Sequence, residues 1–167
     1  MKCRTNLGSP VIPDGTASTA WWSFGRVCAA TADGRLAGDP FNDGTISPMT
    51  GRDKKGPTAV LKSVAKVDPM KTWNHLFNQT VVPEYLTGHN AGLFAQYLKT
   101  FADLGIHHIQ FTTVGRDLLH DAQKNPEAYP NLMVRVAGFA AYFIDLDKNL
   151  QEAIIDRTPH SACSAGL

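Results

Sequence analysis

The longest apolar stripe in the chain lies at residues 90–105, where apolar positions recur at the spacing of one helix face. Asn90 is a candidate N-terminal cap and Gly105 a candidate stop. The pattern between them predicts a helix that buries its apolar face, made of Leu93, Phe94, Tyr97, Leu98, Phe101 and Leu104.

Three shorter segments are also predicted to be helical. Pro57 suits a first helical turn, and the apolar positions after it predict a helix over about residues 57–66. A second segment, residues 116–125, ends before Pro126. The last, residues 148–158, would bury the apolar side chains Leu150, Ile154 and Ile155.

Three segments between these helices are predicted to be extended. Residues 75–83 stop at Pro83. Residues 107–114 form a strand with Ile109 and Phe111 on one face and with His108 and Gln110 on the other. Residues 132–144 are apolar and strand-like around Gly138. Together with the helices, these segments predict a mixed α/β fold.

The first 55 residues carry many turn signals, and their apolar fragments predict short strands between long loops. The segment is rich in large aromatic residues that have few regular elements to cover them: Trp21, Trp22, Phe24 and Phe41. Two explanations stay open: these side chains pack against a second polypeptide, or they pack locally against the C-terminal half of the chain.

Length and charge exclude several classes of protein. The chain has 167 residues, enough for one domain, and 43% of them are hydrophobic. Its net charge of +1 gives no electrostatic reason to expect a nucleic acid or an anionic membrane as a partner. No apolar run approaches the roughly 20 residues of a membrane span, and the first ten residues lack the apolar core of a secretory signal. We therefore expect a cytoplasmic protein.

Cysteine and histidine spacing gives no support for a disulfide framework or a metal site. The three cysteines, Cys3, Cys28 and Cys163, have no CxxC spacing. Of the six histidines, only His107 and His108 are adjacent, and neighbours in a strand point to opposite faces. No metal is expected.

Gly138 interrupts an otherwise apolar run, and glycine in a strand costs about 0.5–1 kcal/mol relative to alanine. Three structural explanations need no chemistry: a bulge, a positive φ angle, or close approach of another segment. A fourth explanation is chemical. A radical centred on a glycine Cα can be planar, and the flanking amide nitrogen and carbonyl both delocalise the unpaired electron.

The wider sequence favours the chemical explanation. "RVAGFAAYF", residues 135–143, resembles the radical-bearing motif of glycyl radical enzymes: arginine, valine, a small residue, glycine and tyrosine. The blocks "DGTISPMTGRDKKGPTAVLKSVAKVD", "HIQF", "DAQKNPEAYPNLMVRVAGF" and "LQEAIIDRTPH" resemble the C-terminal part of this pyruvate formate-lyase-like family, in the expected order. The segment "CAATADGRLAGDPFNDG" resembles the part just upstream, so the resemblance covers roughly residues 24–160.

The resemblance implies that Gly138 stores a radical that is installed anaerobically by an S-adenosylmethionine-dependent activating enzyme with an iron–sulfur cluster. No other bound cofactor is implied. Arg135 and Val136 would shape the loop, and Phe139 stands where tyrosine is common, which removes a hydroxyl group but keeps the ring. His108 and Gln110 are candidates for hydrogen bonds to this loop, although buried polar side chains usually find structural partners as well.

In this family the glycyl radical takes a hydrogen atom from a cysteine on a separate loop that reads glycine, cysteine, any residue and glutamate. None of the three cysteines has these neighbours. The resemblance therefore implies that the thiyl cysteine lies on another chain or on a missing segment. The chain alone is not expected to turn over substrate.

The resemblance also implies a division of the chain. Residues 1–55 would belong to the large α/β barrel of the family, and residues 56–167 would form the glycine radical domain, with the radical loop around residues 134–142. Three functions stay open: part of a split or truncated lyase, a stand-alone spare part that repairs oxygen-cleaved enzyme, or a non-catalytic interaction module. The substrate is equally open, because Trp73, His75, Phe77 and Asn78 can form either an aromatic cavity wall or ordinary core and turns.

Overall fold

The computed structural model describes residues 3–15, 20–157 and 159–160. Over these residues the helices and strands alternate, which confirms the mixed α/β prediction. The α-helices are α1 (Trp21–Val27), α2 (Pro57–Val64), α3 (Asn90–Asp103), α4 (Arg116–Lys124) and α5 (Lys148–Ile155). The strands are β1 (Asp14–Gly15), β2 (Trp73–His75), β3 (Asn78–Val81), β4 (Gln110–Thr112), β5 (Met133–Arg135), β6 (Ala140–Tyr142) and β7 (Pro159–His160).

The strands form three small sheets. In the largest, β3 lies between β4 and β7 and is parallel to both. β1 and β2 pair in parallel, and β5 and β6 form an antiparallel hairpin. The parallel arrangement follows from the crossovers, because α3 lies between β3 and β4 in the chain.

One core cluster joins the N-terminal segment to the C-terminal half. Trp21 is buried against the hairpin, α4 and α5, and the cluster also contains Leu119, Val134, Val136, Phe143 and Ile154. Trp22 and Phe41 pack at its edge, whereas Phe24 is exposed. Local packing therefore accounts for three of the four N-terminal aromatic residues. The expectation of short strands at Trp21–Val27 is wrong, because this segment is helical.

A second cluster lies between α2, α3 and the three-stranded sheet. Leu61 and Phe77 are fully buried there, and Tyr97 is the buried residue of α3. Phe94 and Phe101 are half-buried, but Leu93, Leu98 and Leu104 are exposed by 36–39%, so the predicted stripe is wider than the face that the structure covers.

The ends of α3 correct one prediction and confirm another. Asn90 is the first helical residue rather than the cap, and its side-chain amide donates to the carbonyl oxygen of Glu84 at 3.2 Å. Gly105 follows the helix with a φ of +67°, the left-handed conformation in which glycine is favoured.

The segment around Gly138 is not one continuous strand. β5 and β6 pair in the register Met133 with Tyr142, Val134 with Ala141 and Arg135 with Ala140, which places Gly138 in the turn between them. His107 and His108 precede β4 instead of lying within it, so the strand argument that put them on opposite faces does not apply.

Candidate functional site

Gly138 is exposed in the turn of the β5–β6 hairpin. Its φ angle is outside the left-handed region, and the flanking strands pair without a register shift, so neither a positive φ angle nor a bulge requires glycine there. Among the described residues outside its chain neighbours, a Cβ added to Gly138 would contact one atom, Cδ1 of Leu76, at 3.7 Å. This is an ordinary van der Waals distance, so close approach does not require glycine either.

Arg135 holds the carbonyl group of Gly138. Its Nη2 atom donates to the Gly138 carbonyl oxygen at 2.9 Å, and its Nε atom donates to Oε1 of Gln110 at 2.7 Å. Gln110 lies at the start of β4, so this pair of bonds joins the hairpin turn to the three-stranded sheet.

Val136 and Phe139 flank the glycine in different environments. Val136 is fully buried in the first core cluster, and its N–H donates to the carbonyl oxygen of Phe139 at 3.0 Å. Phe139 is 46% exposed. One side of the turn is thus fixed in the core, while the side that carries Gly138 and Phe139 faces outwards.

His108 lies near the turn but does not bind it directly. Its Nδ1 atom accepts a hydrogen bond of 3.2 Å from the N–H of Phe77. Burial lowers the pKa of His108, and the positive charge of Arg135 and the neighbouring His75 lower it further, which favours the neutral imidazole that this bond requires.

An open cavity of about 500 Å³ lies in front of Gly138. Its walls combine imidazole rings with small polar and apolar groups, and they consist of Pro69, Thr72, Asn74, His75, Leu76, His107 and His108. Phe77 and Asn78 are buried elsewhere and Trp73 is 64% exposed, so of the four residues considered as an aromatic cavity wall, His75 alone lines this cavity.

Sequence reasoning missed Arg157 and Asp43. Arg157 is buried, and its Nη1 atom donates to the carbonyl oxygen of Arg135 at 2.5 Å. Its Nη2 atom donates to the carbonyl oxygen of Val136, and its Nε atom lies 2.7 Å from Oδ2 of Asp43 in an ion pair. Burial raises the pKa of Asp43 against the opposing effect of Arg157. An arginine just after a helix usually lies on the surface, so this burial could not be predicted from the sequence.

The described residues contain no cluster of three or more His, Cys, Asp or Glu side chains that could hold a metal ion. Cys3 is exposed and Cys28 half-buried, and both are free thiols, whereas Cys163 lies outside the described residues. No helix in the described part of the chain has the length and apolar character needed to cross a membrane.

The site is therefore a hairpin turn that presents an exposed glycine whose carbonyl is held by an arginine. The profile of the glycine radical family matches residues 42–144. The chain therefore belongs to the glycine radical family.

Its relatives are much longer proteins. The chain is 43% identical over 156 residues to trans-4-hydroxy-L-proline dehydratase of Clostridioides difficile. The aligned region covers 92% of this chain and 20% of that protein. It is 40% identical over 139 residues to indoleacetate decarboxylase of Tractidigestivibacter scatoligenes, covering 83% of this chain and 16% of the relative. The structure resembles that of the B12-independent glycerol dehydratase of Clostridium butyricum, with a TM-score of 0.86, 41% identity and coverage of 96% of this chain and 20% of that one. The chain thus spans about one fifth of these relatives.

Proposed function

We propose that the chain stores the glycyl radical of an anaerobic lyase on Cα of Gly138. The observation that carries this proposal is that Gly138 is exposed in a turn where a side chain would fit and no φ angle requires glycine. Neither packing nor backbone conformation then requires glycine in this turn, whereas a planar Cα radical is favoured at a carbon without a side chain. Membership of the glycine radical family supports the same assignment.

Arg135, Val136 and Gln110 would hold the turn in place. Val136 anchors it in the core, and Arg135 links the Gly138 carbonyl to Gln110. The carbonyl is one of the two groups over which the radical delocalises, so a donor at 2.9 Å both orients it and affects its electron density. His108 would act from the wall of the cavity, and Phe139 would shield the exposed side of the turn.

Two partners follow from this role. A radical S-adenosylmethionine activating enzyme would remove a hydrogen atom from Gly138. The thiyl cysteine would lie on a longer chain or on a segment outside this sequence, since Cys3 and Cys28 have other neighbours than the family's cysteine loop. Residues 1–55 would then belong to the barrel region and residues 56–167 to the radical domain, and the open cavity would be completed by that partner.

The proposed reaction class is that of a lyase. Relatives of the chain include two dehydratases, a decarboxylase and an isethionate sulfite-lyase. A hydrogen atom taken from the substrate by a thiyl radical is a common first step for such eliminations and cleavages. The chain alone is expected to be inactive.

A stand-alone spare part is the second candidate, because small proteins of this kind replace a radical segment lost to oxygen. The similarity to the hydroxyproline dehydratase covers 92% of the chain and so extends upstream of the hairpin, which favours part of a split or truncated enzyme. Lyase activity restored by a long partner that lacks its own radical motif would support the split enzyme. Activity restored only to oxygen-cleaved full-length enzyme would support the spare part.

Electron paramagnetic resonance tests the radical itself. The chain is activated anaerobically, with and without a candidate long partner. A parallel reaction, in which the same activating enzyme installs the radical on its own full-length lyase, shows that the activating enzyme is competent. We expect a doublet signal that Gly138→Ala abolishes and that the control Gly115→Ala, at the start of α4, retains. Absence of the doublet in the unchanged chain would instead support a non-catalytic module.

A further inference from the structure

Arg157 directs its whole guanidinium group at the base of the hairpin and at one carboxylate. Nη1 and Nη2 bind the carbonyl oxygens of Arg135 and Val136, and Nε pairs with Asp43. The side chain is 8% exposed. Burying a charged group costs free energy unless its partners compensate. Here the two carbonyl bonds and the charge of Asp43 compensate, although Nε is close to Asp43 without making a hydrogen bond of good geometry.

The two carbonyl groups occupy a particular place in the chain. They belong to Arg135, the last residue of β5, and to Val136, the first residue of the turn, and Arg135 binds the carbonyl of Gly138 through its side chain. Fixing the Arg135 backbone therefore fixes the base from which its side chain reaches Gly138. Arg157 thus holds the backbone of Arg135, and Arg135 in turn holds the carbonyl of Gly138.

We propose that Arg157 is a positioning residue for the glycine-bearing turn. Its planar guanidinium group can serve two successive carbonyls and a carboxylate at once, which the single ammonium group of lysine cannot do. The chemical meaning of this role rests on the proposed radical function, but its geometric part does not.

A merely structural role is the competing explanation, because the Arg157 guanidinium also lies 5.7 Å from the ring centre of Trp21 in the first core cluster. Arg35 provides a matched control. It is 3% exposed, donates to the carbonyl oxygens of Gly25, Leu36 and Asp39, and lies 4.5 Å from the ring centre of Phe41. None of these partners belongs to the hairpin.

The test compares Arg157→Lys with Arg35→Lys in the full chain by amide hydrogen exchange. The denaturant concentration is chosen for each variant so that the two have the same free energy of unfolding. The reporter is the N–H of Val136, which is bonded to the carbonyl oxygen of Phe139. We expect its exchange to become about tenfold faster in Arg157→Lys and to stay unchanged in Arg35→Lys. Wild-type exchange at Val136 in Arg157→Lys, or equal acceleration in both variants, would overturn the proposal.

If Arg157→Lys does not fold, Asp43→Asn replaces it, because the loss of the ion pair releases Nε. Faster exchange at Val136 is again expected, and unchanged exchange overturns the proposal. In the activated chain, Arg157→Lys should also give a several-fold lower radical yield than Arg35→Lys, and equal yields count against positioning. A wild-type chain that forms no radical contradicts the proposed function, while the exchange result still decides the role of Arg157.

Discussion

Cδ1 of Leu76 lies 3.7 Å from the position that a Cβ atom would take on Gly138. The turn therefore has room for a methyl group. Gly25 differs: a Cβ there would lie 2.7 Å from Cα of Pro40 and would also clash with the carbonyl of Asp39. Packing therefore requires glycine at position 25 but does not explain glycine at position 138.

Gly138→Ala is expected to fold normally. Alanine restricts the unfolded chain, so the free energy of unfolding should stay the same or rise by about 0.4–1 kcal/mol. Gly25→Ala should be destabilised, because its Cβ cannot be accommodated without moving the backbone. Urea denaturation of both variants measures the difference. A loss of more than about 1 kcal/mol in Gly138→Ala would reveal a packing role after all.

Oxygen should cut the activated chain at Gly138. A Cα radical adds dioxygen directly, and breakdown of the adduct breaks the backbone at that residue. Mass spectrometry after exposure to air should find a long N-terminal and a short C-terminal fragment. Gly138→Ala, treated in the same way, should stay intact. An activated wild-type chain that survives air without these fragments would exclude Gly138 as the radical position.

Gln110→Leu should loosen Arg135. The substitution removes the oxygen that accepts from Nε of Arg135 at 2.7 Å and leaves a half-buried charge with one partner fewer. We expect the free energy of unfolding to fall by about 1 kcal/mol. Gln123→Leu is the control, since its amide donates to Glu152 at an exposed site and its loss should cost less than about 0.5 kcal/mol. Equal stabilities of the two variants in urea would mean that the Gln110 bond is not formed in solution.

Helical periodicity predicted α2 to α5 to within three residues at each end, because each of these helices buries one face. It could not distinguish Tyr97, which is buried, from Leu93 and Leu98, which are exposed, since that depends on how much of α3 the sheet covers. Helix α1 was missed because seven residues without a side-chain cap carry little local signal. Its stability comes from the packing of Trp21 against distant segments.

The site was predicted unevenly for a similar reason. A local motif singles out Gly138 and Arg135, and the contact with Gln110 agrees with its proposed place beside the loop. The resemblance implied a loop around residues 134–142, but the local sequence did not predict a hairpin, since the connection at residues 136–139 lacks the Asn-Gly or Asp-Gly pair that indicates a tight hairpin. Arg157 and Asp43 meet only through the tertiary fold, and no periodicity relates them.

His108 should make stability depend on pH. Its pKa in the folded chain lies below the ordinary value of 6.5, mainly because of burial, so the folded state binds fewer protons than the unfolded state. Its contribution is therefore complete above about pH 6.5 and is lost as the pH falls through the lower, folded pKa. Protonation of Nδ1 would also remove the acceptor for the N–H of Phe77. Urea denaturation between about pH 7.5 and 5 should give a smaller loss of stability in His108→Asn than in the wild type. His120→Asn, at an exposed position of α4, should keep the wild-type dependence, and a His108→Asn curve that matches it would exclude this role for His108.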